Sequence, residues 1–145
     1  MTTRSRDERG TVSVLVIGFF LVALLMVAVV VDASAAYLRR QGLAGLADAA
    51  ALVAADGVQA ERAYSGRLDQ PGPVDPASAR RHVLAYLEAV DARGEYNGLT
   101  VEVGANGQAV TVRLSTPLDL PIAPPGWEQA PVITAESAAV VLLLD

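Results

Sequence analysis

Between Val12 and Val31 every position is uncharged and nearly all are aliphatic or aromatic, with Ser13 and Gly18 the weakest points. A helix needs about 20 such residues to cross the hydrocarbon layer, and within lipid it satisfies its own backbone polar groups. The run therefore predicts a membrane-spanning helix, ended abruptly by Asp32. Beyond it the pattern becomes periodic. Leu43, Leu46, Ala47, Ala50, Val53 and Ala54 fall at the three-and-four spacing of one helical face, while Arg39, Arg40, Asp48 and Asp56 are available to water. Alanine, the best helix former, dominates to about Ala63, and no proline occurs before Pro71. The spanning helix is thus expected to continue unbroken into a stalk. Its total of about 50 residues would measure roughly 75 Å. Gly42, Gly45 and Gly57 are its weak joints, or places where another helix can approach closely.

A turn-rich connector follows, with Pro71, Gly72, Pro73 and Pro76. Asp75 and Pro76 fit the cap and first position of a second helix. Its apolar face is Ala79, Val83, Tyr86, Leu87 and Val90, and Gly94 fits its stop. Leu99, Val101 and Val103 alternate with polar residues, as do Val110, Val112 and Leu114, and Asn106-Gly107 between them is a hairpin cue. Residues 116–131 form a proline-rich loop containing Trp127. Val132 to Leu144 reads as a last strand, and its continuously apolar end, from Val140, suggests pairing in the middle of the sheet or burial on both faces. The expected fold class is α+β: a long amino-terminal transmembrane and stalk helix, a short helix, and a small antiparallel sheet of about three strands. The expected divisions are a cytoplasmic segment at 1–11, a transmembrane helix at 12–31, an Ala-rich stalk at 32–63 and a small extracytoplasmic head at 64–145.

Composition narrows the functional classes. The 145 residues contain no cysteine, which removes disulfides, thiolate metal sites and cysteine nucleophiles. From Asp32 onward 14 acidic residues face 8 arginines, a balance of −6, which argues against a nucleic-acid partner. Arg4, Arg6 and Arg9 precede the apolar run, whereas Arg39 and Arg40 follow it only after Asp32 and one to two helical turns. The positive-inside tendency then favours a cytoplasmic amino terminus, with Tyr37 near the outer interface. A cleaved secretory signal ending at Ala33-Ser34-Ala35 is the competing reading; against it stand the length of the apolar run and the charge of Asp32 at the cleavage site.

Arg9-Gly10-Thr11-Val12-Ser13-Val14, the apolar run, Asp32 and then Gln41-Gly42-Leu43-Ala44-Gly45-Leu46-Ala47-Asp48-Ala49-Ala50-Ala51-Leu52-Val53-Ala54-Ala55 together resemble the TadE/TadG-like proteins of the Flp (Tad) pilus system, most closely the TadG-like amino-terminal module. The resemblance covers roughly residues 6 to 60. It implies a pilin-like, membrane-anchored minor component of a pilus assembly or secretion apparatus, with the lipid bilayer and other membrane proteins of that apparatus as partners. It also implies a candidate processing site between Gly10 and Thr11. Processed members carry Glu at the fifth residue of the new chain; here that position is Leu15, which favours a permanently anchored accessory protein over a polymerised subunit.

No constellation in the sequence nominates catalysis, a cofactor, a metal or a small-molecule substrate. His82 is the only histidine, and the sequence supplies neither an orienting partner nor a nucleophile for it. The Asp32-Ala33-Ser34 start of a metal-adhesion pattern lacks its second serine and reads as helix surface. Asp119 and Glu128 flank the proline-rich loop without grouping further. Gly104 to Gly107 is a turn with no Lys or helix start after it, so it is not a phosphate loop. Trp127 is either a plug for the small core of the head or a candidate partner contact. The alternative function is an extracytoplasmic binding module, secreted or anchored, that uses this loop outside any pilus.

Overall fold

The computed structural model describes residues 9–66, 72–118 and 131–141. Its dominant element is α1 (Arg9–Tyr64), a single helix of 56 residues, about 84 Å long at the standard rise. The absence of proline and the abundance of alanine let it run through Asp32 and through all its glycines. Two short helices follow, α2 (Pro76–Ala89) and α3 (Ala92–Glu95), and then three strands, β1 (Thr100–Asn106), β2 (Ala109–Pro117) and β3 (Val132–Val140). The strands form an antiparallel meander with β2 in the centre. This is the expected α+β arrangement, with one sheet face laid on the carboxyl-terminal half of α1 and on α2.

Local chemistry explains the boundaries. Asp75 caps α2 by accepting from the backbone N–H of Ala77 at 3.1 Å and of Ser78 at 3.2 Å, with Pro76 in the first turn. The helix stops at Ala89, ahead of Gly94, because Asp91 takes the left-handed conformation (φ 50°) that terminates it. Asp tolerates that region better than most residues, and Gly94 then falls inside α3. The hairpin is also shifted by one residue from its sequence cue. Asn106 pairs with Ala109, so Gly107 (φ 60°) and Gln108 form the two-residue turn. A positive φ at the first central position alone is the pattern of a type II′ turn, which suits the twist of paired strands.

The core lies between the sheet and α1. Leu43, Ala47, Ala50, Ala51, Ala54, Ala55 and Val58 of α1 meet Ala79, Val83 and Leu87 of α2, and Val110, Val112, Leu114 and Ala135 of the sheet. The expected face of α1 is present but broader: Ala51, Ala55 and Val58 join it, while Leu46 is only partly buried and Val53 is exposed. The small residues on α1 bring the sheet close to the helix axis, so the Ala-rich seam is occupied by this chain's own head. Thr116 is the buried polar residue of β2, and its hydroxyl donates to the Asn97 carbonyl at 3.0 Å.

β3 differs from the expected middle position. It is an edge strand, and Val140 is exposed while Val141 is buried and donates to the Gln108 carbonyl at 2.8 Å. Consecutive antiparallel strands prefer to be neighbours, and the hairpin leaves β2 only one free side. The last three residues of the apolar tail, 142–144, and Asp145 lie outside the described residues.

Candidate interaction surface

α1 divides by exposure into two lengths. From Val12 to Val31 its large apolar side chains stand between 46% and 75% exposed, and none of the most apolar stretch is covered by the rest of the chain. Such a helix is long and apolar enough to cross a membrane. Gly10 and Thr11 lie in its first turn. Asp32 continues the same helix at the end of the apolar run and is partly buried.

The head is fastened to the second length of α1 at two points. At the lower one, Tyr96 is buried against Gly42, where a side chain would bring a Cβ within 2.6 Å of the phenol oxygen. The Arg39 guanidinium stacks on the Tyr96 ring at 4.9 Å from its centroid and donates to the Glu95 carbonyl at 3.0 Å. Burial pushes the Tyr96 phenol up from its ordinary value, reinforced by the Glu95 carboxylate and opposed by Arg39. The ring therefore stays neutral and serves as a platform for the cation.

Four helical turns higher, the His82 ring packs on Gly57, where a Cβ would lie 2.6 to 2.8 Å from three ring atoms. Glu61 of α1 collects the donors of α2: Ser78 Oγ at 2.5 Å, His82 Nε2 at 3.2 Å and Arg81 Nη2 at 3.4 Å. The Ser78 hydrogen bond, aided by Arg81 and His82, holds the Glu61 carboxyl below its ordinary value against an opposing desolvation effect. Beside it Arg62 Nη2 donates to the Gly72 and Pro73 carbonyls at 2.8 and 3.0 Å, fixing where the chain re-enters the head.

Glu61, Ser78 and His82 are the residue types of a hydrolase, but their wiring is that of a clamp. In a catalytic triad the histidine takes the proton of the serine. Here Ser78 gives its hydrogen bond to the carboxylate, and its side chain is buried. Glu61 was not legible as the partner of His82, because 21 residues and a connector separate them. Among the described residues no group of three His, Cys, Asp or Glu is placed to hold a metal.

The outer face of the sheet is polar. Glu102, Arg113 and Glu136 lie in register across the three strands, with Arg113 donating to Glu136 at 2.6 and 3.0 Å and 3.8 Å from Glu102. Glu136 raises the Arg113 pKa further above its ordinary value. Ser115 and Thr134 share a hydrogen bond of 3.0 Å in the row beside it. Trp127, Asp119 and Glu128 lie outside the described residues. The two ends of their segment are tied together, Leu118 N–H donating to the Pro131 carbonyl at 2.7 Å.

The described surface thus offers an exposed apolar rod, a head folded back on its upper half, and a polar sheet face. No curated protein and no solved structure matches the chain. Residues 10–57, nearly the whole of α1, match the family model described as "Putative Flp pilus-assembly TadE/G-like".

Proposed function

We propose that this is a single-pass membrane protein of a Tad/Flp-type pilus assembly or secretion apparatus, a minor pilin-like accessory that acts by helix packing and partner docking. The observation that carries this reading is the coincidence of the family match at 10–57 with one unbroken helix whose residues 12–31 are uncharged and whose large apolar side chains there are exposed. In this reading residues 1–11 are cytoplasmic, 12–31 cross the bilayer, and the chain from Asp32 onward is extracytoplasmic.

Without a hydrophobic drive between helices in lipid, association there relies on close contact and small residues. Gly18 has open space around its α-carbon, so another helix can approach it. Partner docking outside the membrane is assigned to the head, with Trp127 as the proposed contact. Catalysis has no part in this reading, since the only serine–histidine–carboxylate group on the described surface is internally consumed.

The test is in-cell crosslinking from Gly18→Cys, which is free of competing thiols because the chain contains none. Capture of a membrane protein of the pilus apparatus is the expected result. Normal piliation after deletion of the gene, with no crosslink formed, overturns the assignment. Intact mass of the protein recovered from membranes separates a full-length chain, the state expected from Leu15, from one cut after Gly10.

A further inference from the structure

We propose that the base of the head rests on the headgroup layer of the bilayer that α1 crosses, so that the head is held against the membrane surface as well as tethered to it. The proposal rests on the reading that residues 12–31 span the membrane, and it adds an interaction surface with the lipid–water interface as its partner.

The direction of every element in the head follows from its ties to α1. At one end, Arg39 bonds the Glu95 carbonyl, Tyr96 covers Gly42, and Thr116 bonds the Asn97 carbonyl. Pro117 stands 3.2 Å from where a Cβ on Gly98 would lie, and Leu118 bonds Pro131. At the other end, Arg62 holds Gly72 and Pro73, Val74 N–H donates to the Gly107 carbonyl, and Val141 donates to Gln108. So α2 runs down toward the apolar half of α1, β1 runs up, β2 down and β3 up. The end of α2, α3, the end of β2 and the start of β3 share one rim, and that rim faces the span.

Its height is fixed by the helix. Arg39, where the head is first tied, stands eight residues beyond Val31, about 12 Å along the axis. The headgroup layer is roughly 5–8 Å deep on each side of the hydrocarbon. The gap is a few ångströms, and the ordinary tilt of spanning helices, about 20°, closes it when the helix leans toward the head.

The exposed side chains of the rim suit that position. Tyr37 and Leu38 on α1, Val90 at the end of α2 and Val132 at the start of β3 are exposed. Tyr is favoured at the interface, where one end is wet and the ring is not. The charged side chains of this rim, Arg39, Arg40 and Arg93 against Glu88, Asp91 and Glu95, are equal in number, so the rim brings no net charge to a zwitterionic surface.

Because the chain has no cysteine, single thiols report position without background. Full-length Leu24→Cys, Val90→Cys, Val132→Cys and Arg80→Cys are each labelled with a small fluorophore in phosphatidylcholine vesicles. The vesicles carry a nitroxide either on the headgroup or deep in the acyl chain. The proposal expects the deep nitroxide to remove most emission from Leu24→Cys. It expects the headgroup nitroxide to remove most emission from Val90→Cys and Val132→Cys, with Arg80→Cys, at the far end of the head, keeping its own. If Leu24→Cys is quenched while both rim positions behave like Arg80→Cys, the rim stands clear of lipid; the proposal fails and the span survives. If Arg80→Cys is quenched as strongly as the rim, the head lies on its side and the proposal fails. An unquenched Leu24→Cys removes the span, and the proposal with it.

Discussion

Three glycines of α1 share a sequence environment and differ in what surrounds them, which makes them a test at the scale of single residues. Replacing a mid-helix Gly with Ala gains about 1 kcal/mol of helix propensity where nothing opposes it. Gly45 has open space, so Gly45→Ala should raise stability by up to that amount. At Gly42 the new methyl meets the tip of Tyr96, a group that can swing at some cost to the Arg39 stack, and the two effects nearly cancel. At Gly57 the methyl meets three atoms of a ring whose far side bonds Glu61. Overpacking of this kind costs about 1–3 kcal/mol, so Gly57→Ala should be destabilising on balance. Denaturant unfolding of the detergent-solubilised chain should rank Gly45→Ala above Gly42→Ala above Gly57→Ala, and equal shifts at all three would refute the two fastening points. By the same measurement, Asp75→Ala removes two capping bonds and should cost about 1 kcal/mol.

At the scale of elements, the fastening of α1 to α2 converges on one carboxylate, and this gives it a pH dependence with a definite sign. The folded pKa of Glu61 is lowered from its ordinary 4.5, chiefly by Ser78, so ionised Glu61 stabilises the fold above the ordinary carboxylate range. That contribution is lost as pH falls through the lowered value. Glu61 is about half exposed, so solvent screens its ion pairs and the effect is small. The expected result is that stability of the native chain falls more than that of Glu61→Gln as pH drops below the ordinary carboxylate range; parallel curves would show that the carboxylate does not act there. The elements themselves were largely legible in the sequence. The apolar run, the Asp75-Pro76 start and the alternation in β1 and β2 each depend on residues close in the chain. The stop of α2 was missed because an Asp with positive φ leaves no compositional mark. The edge position of β3 was missed because a run of apolar residues does not say on which side a partner stands. The fastening points were invisible for a deeper reason: Gly42 with Tyr96, and Gly57 with His82 and Glu61, are long-range contacts that exist only after the head folds back on the helix.

At the scale of the whole molecule, the apolar half of α1 is far more hydrophobic than a single span needs, and the excess can be measured. Residues 12–31 contain fifteen Val, Leu, Ile and Phe, each contributing about −0.3 to −0.6 kcal/mol to insertion at the helix centre, or roughly −5 to −9 kcal/mol together before positional discounts. One arginine near the centre costs about 2.5–3.5 kcal/mol on the same scale. Gly18→Arg alone should therefore leave the protein in the membrane fraction after an alkaline carbonate wash. Gly18→Arg combined with Leu25→Arg, two turns further along the helix, costs roughly 5–7 kcal/mol and should bring insertion to the point of balance, with much of the protein released. The single variant decides more than the double. A cleavable signal must only engage the translocation machinery, and a free head would leave the membrane fraction whatever stands at residue 18. An anchor must hold the folded head in place afterwards. Retention of the single variant at full length, with partial release of the double, is the pattern of an anchor with several kcal/mol in reserve. Release of the native chain by the same wash would mean that the exposed rod of α1 is covered by protein and not by lipid.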